Sequence, residues 1–353
     1  MRKPAGWQPL SVRTFKPGRV DLTSSPIPIM VRISVLDPEK SLPALIVATP
    51  SNERGHAQNS LARLYTENTE LVEQAIHRHG AILFRGFDVD TPGDFARLCR
   101  AASQNRLMAY VDGNSPRTRL GSGIYTSTEY PPDFFISLHN ELSYSHRWPS
   151  VLWFCCLTAA EAGGETPIAD CRAILAALDK EIVEEFTRKQ VKYIRRLHGG
   201  QGFGPSWQDT FETRQRAVAE RFCAEGNICF EWSAEGDLCL TQIRPALATH
   251  PATGQTVWFN QADQFHPSSQ PRDVYKSVIE LYRDREDQLP QNVRYGDDTE
   301  IDAAVLEEIR KTALNNATLF PWTCGDVLMV DNMLVAHRRM PFRGARRVLV
   351  SMM

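Results

Sequence analysis

The segment "VLWFCCLTAA", residues 151–160, is almost wholly apolar. It is far shorter than the roughly 20 residues needed to cross a bilayer as a helix. A short apolar run bounded by polar turns reads as a buried β-strand, and a buried strand needs strands beside it. The surrounding sequence carries that signal. "GSGIYTSTEY" (121–130) is rich in small, β-branched and aromatic residues, and "FFISLHNELSY" (134–144) alternates. "GDLCLTQIRPALATHPATGQTVWFN" (236–260) returns to strand, with "HPATGQ" as a hairpin turn. The C-terminal "CGDVLMVDNMLVAHRRMPFRGARRVLVSMM" reads strand, loop, strand.

Helical periodicity appears between these blocks. "NTELVEQAIHRH" stops at Gly80, and a second helix opens at Thr91 and Pro92. His77 and His79 fall in the last turn of the first helix, where they favour its dipole. Residues 171–190, 272–287 and 302–316 are helical and charged. The expected fold class is mainly β with helical insertions. We expect one domain over 1–353, with an N-terminal arm at 1–68. Its core would comprise 69–170 and 226–353, with largely helical insertions at 171–225 and 269–320.

A net charge of -2 gives no electrostatic basis for binding nucleic acid. The basic N-terminus has no apolar core, so no secretory signal is expected and the chain reads as cytoplasmic, without membrane attachment. The eight cysteines form no CxxC pair, which suits reduced buried thiols rather than a zinc site.

One spacing stands out. His139 precedes Glu141 by two residues, and on a strand both would project from one face. About one H-x-D/E is expected by chance in a chain of this length, so the pair alone says little. His337, on the C-terminal strand, supplies a third ligand type. Two histidines and one carboxylate suit non-haem Fe(II), with tetrahedral zinc as the competitor. The HExxH spacing of many zinc hydrolases is missing. Arg347, ten residues after His337 and set among "VLV", suits bidentate capture of a carboxylate, while its neighbour Arg346 is expected to face outward.

With these residues in place, the chain resembles the TauD/TfdA (clavaminate synthase-like) family of Fe(II)/2-oxoglutarate-dependent oxygenases. The resemblance runs from about residue 70 to the end and includes "GAILFRGF" and "HPATGQTVWFN". It implies a double-stranded β-helix (jelly-roll) core and three cofactors or cosubstrates: Fe(II), 2-oxoglutarate and O2. It assigns His139, Glu141 and His337 to the metal, and Arg347 with Thr166 of "GGETPIAD" to the distal carboxylate of 2-oxoglutarate. Within the family the chain is similar to SyrP-like amino-acid hydroxylases of natural-product pathways. That likeness implies hydroxylation of an unactivated C–H bond in an amino-acid-like small molecule, free or tethered to a peptidyl carrier protein. Desaturation or cyclisation with the same cofactors, or a non-catalytic jelly-roll binding protein, are the alternatives. Halogenating relatives replace the carboxylate ligand with a small residue, so Glu141 argues for hydroxylation. Sulfonate-oxidising relatives carry another arginine four residues beyond the 2-oxoglutarate arginine; counted from Arg347 that position is Ser351. Candidate substrate contacts are Arg244, Asn260, Gln261, Thr128 and Glu129, with His266 read as a loop histidine.

Overall fold

The fold is that of a computed structural model describing residues 19–20, 31–48, 60–103, 107–121, 123–202, 204–283 and 285–353. The N-terminal segment read for targeting lies mostly outside them.

Among the described residues, nine strands form the largest sheet. Its order is Arg19–Val20, Val31–Asp37, Leu42–Ala48, Ala81–Arg85, Val327–Asp331, Val151–Thr158, Arg347–Met352, Ile124–Thr126 and Arg119–Gly121. The apolar run at 151 lies inside it, hydrogen-bonded on one side to Val327–Asp331 and on the other to Arg347–Met352. Its side chains alternate between two cores. Leu152, Phe154 and Cys156 enter one cluster, whereas Trp153 and Cys155 enter another. Burial on both faces is why the sequence there is continuously apolar.

The first cluster fills the space between this sheet and a four-stranded one ordered Ala317–Thr318, Ile168–Asp170, Val335–Arg339 and Ile136–His139. Two sheets facing each other over one core are the double-stranded β-helix, and the fold class is as the sequence predicts. The second cluster lies on the outer face, under helices Leu61–Glu67, Thr69–His79 and Pro92–Ser103. Gly80 ends the second of these at φ +66, and a Cβ there would meet Val335 Cγ2 at 2.4 Å. Thr91 and Asp94 cap the third reciprocally: Thr91 N–H donates to Asp94 Oδ2 (2.9 Å) and Asp94 N–H to Thr91 Oγ1 (3.2 Å).

Three expectations about organisation change. Besides their helices, segment 171–225 contributes the strand Val191–Leu197, and segment 269–320 contributes Gln291–Tyr295 as well as Ala317–Thr318. Val191–Leu197 lies between Gln291–Tyr295 and Leu238–Arg244 and pairs with both in a separate four-stranded sheet. Residues 229–244, expected in the core, thus belong with the insertions. Within 1–68, Val31–Asp37 and Leu42–Ala48 are integral strands of the main sheet rather than an arm.

Candidate active site

His139 is the last residue of the strand Ile136–His139, and His337 lies directly opposite it on Val335–Arg339. The rings are tilted with centroids 4.4 Å apart. Glu141 is not on the strand, as the i, i+2 reading supposed; it sits in the turn that follows. That turn is fixed by Asn332, which is fully buried. Asn332 Oδ1 accepts from Glu141 N–H (2.7 Å), and its Nδ2 donates to the carbonyls of Glu141 (2.9 Å) and Pro149 (2.9 Å). One ligand-type atom from each of His139, Glu141 and His337 lies within 4.8 Å of the others, and all three residues are buried.

The electrostatics suit a metal. His139 Nδ1 is 2.8 Å from Ser137 O, which fixes that nitrogen as the donor and leaves Nε2 with a lone pair. Burial lowers His139 below the ordinary imidazole value, opposed by Glu141. Burial, then His139 and Arg117, drive His337 further down. Neutral imidazoles beside a carboxylate form a suitable ligand set, and His337 Nδ1 is buried without a hydrogen-bond partner. A second cluster, His77, His250 and Asp331, does not compare. His250 Nε2 donates to Asp331 Oδ2 (2.9 Å) and its Nδ1 accepts from Thr253 N–H (3.1 Å), so both nitrogens are engaged.

Of the neighbouring pair Arg346 and Arg347, it is Arg346 that lies beside this triad, and the assignment of Arg347 is corrected. Arg347 is solvent-exposed, opposite Thr158 at a register shift in the sheet. Val348, Val350 and Met352 point into the inter-sheet core and Leu349 into the outer one, so Arg346 shares the inward phase. Its Nε donates to Gly164 O (2.9 Å) and its Nη1 to Ser127 Oγ (3.3 Å), and it lines one small cavity with Thr166, His139 and His337. Burial, then neighbouring Arg339, push Arg346 down to about 10. Neither the half-buried Arg346 nor the buried Arg339 has an ion pair among the described residues, so two sheltered guanidiniums lack an anion here. Thr166 Oγ1 accepts from Trp322 Nε1 (3.0 Å). Four residues beyond Arg346 stands Val350, not a second arginine; Ser351 faces away and donates to Gly123 O (3.0 Å).

The substrate candidates separate. Thr128 and Glu129 line a cavity of about 920 Å³, and Thr128 also borders the triad. His266 lines this cavity as well, with Nδ1 2.8 Å from Ser268 Oγ. Asn260 and Gln261 line a different cavity of about 270 Å³, and they act locally: Asn260 Nδ2 donates to Ala246 O (3.0 Å), Gln261 Nε2 to Asn140 O (2.7 Å). Arg244 lines neither cavity. Its Nη2 donates to Gly226 O (2.7 Å) and Gln242 Oε1 (2.8 Å), a structural cation holding carbonyls. Sequence reasoning missed three residues. Besides Asn332, these are Arg339, which donates to four carbonyls of the 128–134 segment, and Arg117, which is ion-paired to Glu141. Arg117 stands only 24 residues before Glu141, but nothing in "NSPRTRL" marks it.

A triad of two neutral imidazoles and a carboxylate between jelly-roll sheets is a ligand set that suits a non-haem iron oxygenase, and two arginines without an ion pair lie alongside. The model of the Taurine catabolism dioxygenase TauD, TfdA family matches residues 44–353, and the chain belongs to that family. It is 36% identical over 281 residues to "Dapdiamide synthesis protein DdaC" of Enterobacter agglomerans, spanning 80% of this chain and 84% of that protein. It is 28% identical to "Clavaminate synthase-like protein At3g21360" of Arabidopsis thaliana, over 97% and 98% of the two chains. PvcB of Pseudomonas aeruginosa, an Fe, alpha-ketoglutarate dependent oxygenase from an isonitrile synthetic pathway, shares the fold at a TM-score of 0.51. Its identity is 14%, over 95% of this chain and 94% of that one. AAD-2, solved with Mn(II) and N-oxalylglycine, also superposes at 0.51, with 13% identity over 92% and 97%. This protein is accordingly a 2-oxoglutarate-dependent dioxygenase that uses iron. Among the described residues no helix is long and apolar enough to cross a membrane.

Proposed function

We propose that the enzyme hydroxylates an unactivated C–H bond of an amino acid or of an aminoacyl group tethered to a carrier protein, in secondary-metabolite biosynthesis. His139, Glu141 and His337 hold Fe(II), and Arg346 with Thr166 holds the distal carboxylate of 2-oxoglutarate. The observation that carries this reading is the position of the triad. Its two histidines line the small cavity containing Arg346 and Thr166, and that cavity shares Arg117, Thr128 and Ile136 as walls with the 920 Å³ cavity.

When bound, iron and 2-oxoglutarate supply oxygen activation, with the cosubstrate decarboxylated to succinate and carbon dioxide. The chain does the rest. The Ser137 carbonyl keeps His139 Nε2 turned to the metal position, and Asn332 holds the Glu141 turn. Arg346 is ready to form a charge-assisted, two-point bond to a carboxylate. Arg339, by tying down the carbonyls of Thr128, Tyr130, Pro131 and Phe134, stiffens the wall against which the substrate packs. The larger cavity is near the upper end of small-molecule sites, more than a free amino acid fills. That favours an aminoacyl conjugate, and the similarity to DdaC supports a biosynthetic setting.

The test is anaerobic and then aerobic. Adding Fe(II) and 2-oxoglutarate is expected to give a weak visible charge-transfer band. Under air, a panel of free and carrier-linked amino acids should yield succinate together with a product heavier by one oxygen. A product lighter by two hydrogens would replace hydroxylation with desaturation or cyclisation. No band and no succinate with any member would sink the proposal.

A further inference from the structure

Arg117 has no part in the assignments above. Its side chain is 3% exposed and its guanidinium lies over the Tyr110 ring, 4.6 Å from the centroid. Nη2 pairs with Glu141 Oε2, its one carboxylate among the described residues. Nε and Nη1 are buried and have no partner. Both the triad cavity and the 920 Å³ cavity have Arg117 in their walls.

A buried guanidinium with two idle donors is costly unless something accepts from them. Its present counter-charge is also a proposed iron ligand. Once a dication shares Glu141, the negative charge available to Arg117 falls, and 2-oxoglutarate has its far carboxylate committed to Arg346. An anion entering from the larger cavity would restore the balance and meet the idle N–H groups. We infer that Arg117 forms a subsite for a carboxylate of the substrate, placed where the substrate cavity meets the metal. This rests on the proposed iron and 2-oxoglutarate sites. It narrows the substrate class to molecules with a carboxylate in addition to any thioester by which they are carried.

The probe is acetate, with acetamide as its uncharged counterpart, on protein loaded with Mn(II) and saturated with 2-oxoglutarate. Paramagnetic relaxation of the methyl protons reports binding near the metal. Wild type should relax acetate saturably and acetamide far less. R117M should weaken the acetate effect about tenfold or more, the scale of one lost charge-assisted bond. R117K, which keeps the charge but loses the planar fork, should fall between, and it gives the answer if R117M does not fold. Acetate relaxed equally in wild type and either folded variant, or acetamide relaxed as strongly as acetate, would overturn the subsite while leaving the proposed function standing. Failure of Mn(II) and 2-oxoglutarate to bind wild type would remove the proposed function and the subsite together.

Discussion

Exchanging Arg346 for glutamine should weaken 2-oxoglutarate binding, whereas the same exchange at Arg347 should not. Arg346 is half-buried beside Thr166 and Arg339 and has no ion-pair partner among the described residues. A carboxylate reaching it would gain two hydrogen bonds to a charged group, each about 1.5–3 kcal/mol. Part of that returns in the variant, because the unligated enzyme no longer buries an unpaired cation beside Arg339. A net loss of about 2–4 kcal/mol remains, or roughly 30- to 1,000-fold in affinity. Arg347 is exposed on the opposite side of its strand, so its exchange should leave affinity within about twofold. The assay is anaerobic titration of 2-oxoglutarate into Fe(II)-loaded protein, read by the visible charge-transfer band. Loss of binding in R347Q with R346Q unaffected would refute the phase of the strand and the reasoning built on it.

Other outcomes follow from the same geometry. Asn332→Ala leaves Glu141 N–H and the Glu141 and Pro149 carbonyls short of partners, so urea denaturation should show a loss of about 2–4 kcal/mol. Gly80→Ala sets a Cβ 2.4 Å from Val335 Cγ2 at φ +66 and should cost about 1–3 kcal/mol, read as a lower Tm. The pH dependence has a defined sign. His139 and His337 both lie below the ordinary value of 6.5 in the folded protein, mainly through burial. The unfolded chain therefore binds more protons just below pH 6.5, so metal-free protein should hold full stability above that pH and lose it as pH falls further. Urea midpoints at pH 7.5 and 5.5 check this, and His337→Phe should flatten the difference.

The features legible in the sequence were those carried by residue type and local spacing. Continuous apolar strands, the Gly80 stop and the Thr91 cap are short-range, and the structure has them where expected. His337 offers itself as a third ligand by residue type on a C-terminal strand, and the resemblance adds the expectation that it converges with His139. Strand phase was not legible at Arg346 and Arg347. The "VLV" that follows is buried on both faces, so apolarity cannot say which alternate residue turns inward. Arg244 stays open in the sequence between a substrate contact and a structural cation for a related reason. A cation in a strand looks functional until the loop carbonyls it serves, at Tyr144 and Gly226, are seen to pack beside it. Asn332 and Arg117 act across the fold or through a turn on Glu141, and no spacing rule announces such contacts.

His139, Glu141 and His337 are proposed to share one metal. Iron content per chain, measured after anaerobic loading and desalting of wild type and His139→Ala, tests that most directly. One Fe(II) per wild-type chain and a near-complete loss in the variant, with the fold intact by circular dichroism, is the expected result. Equal iron in the two proteins would contradict it.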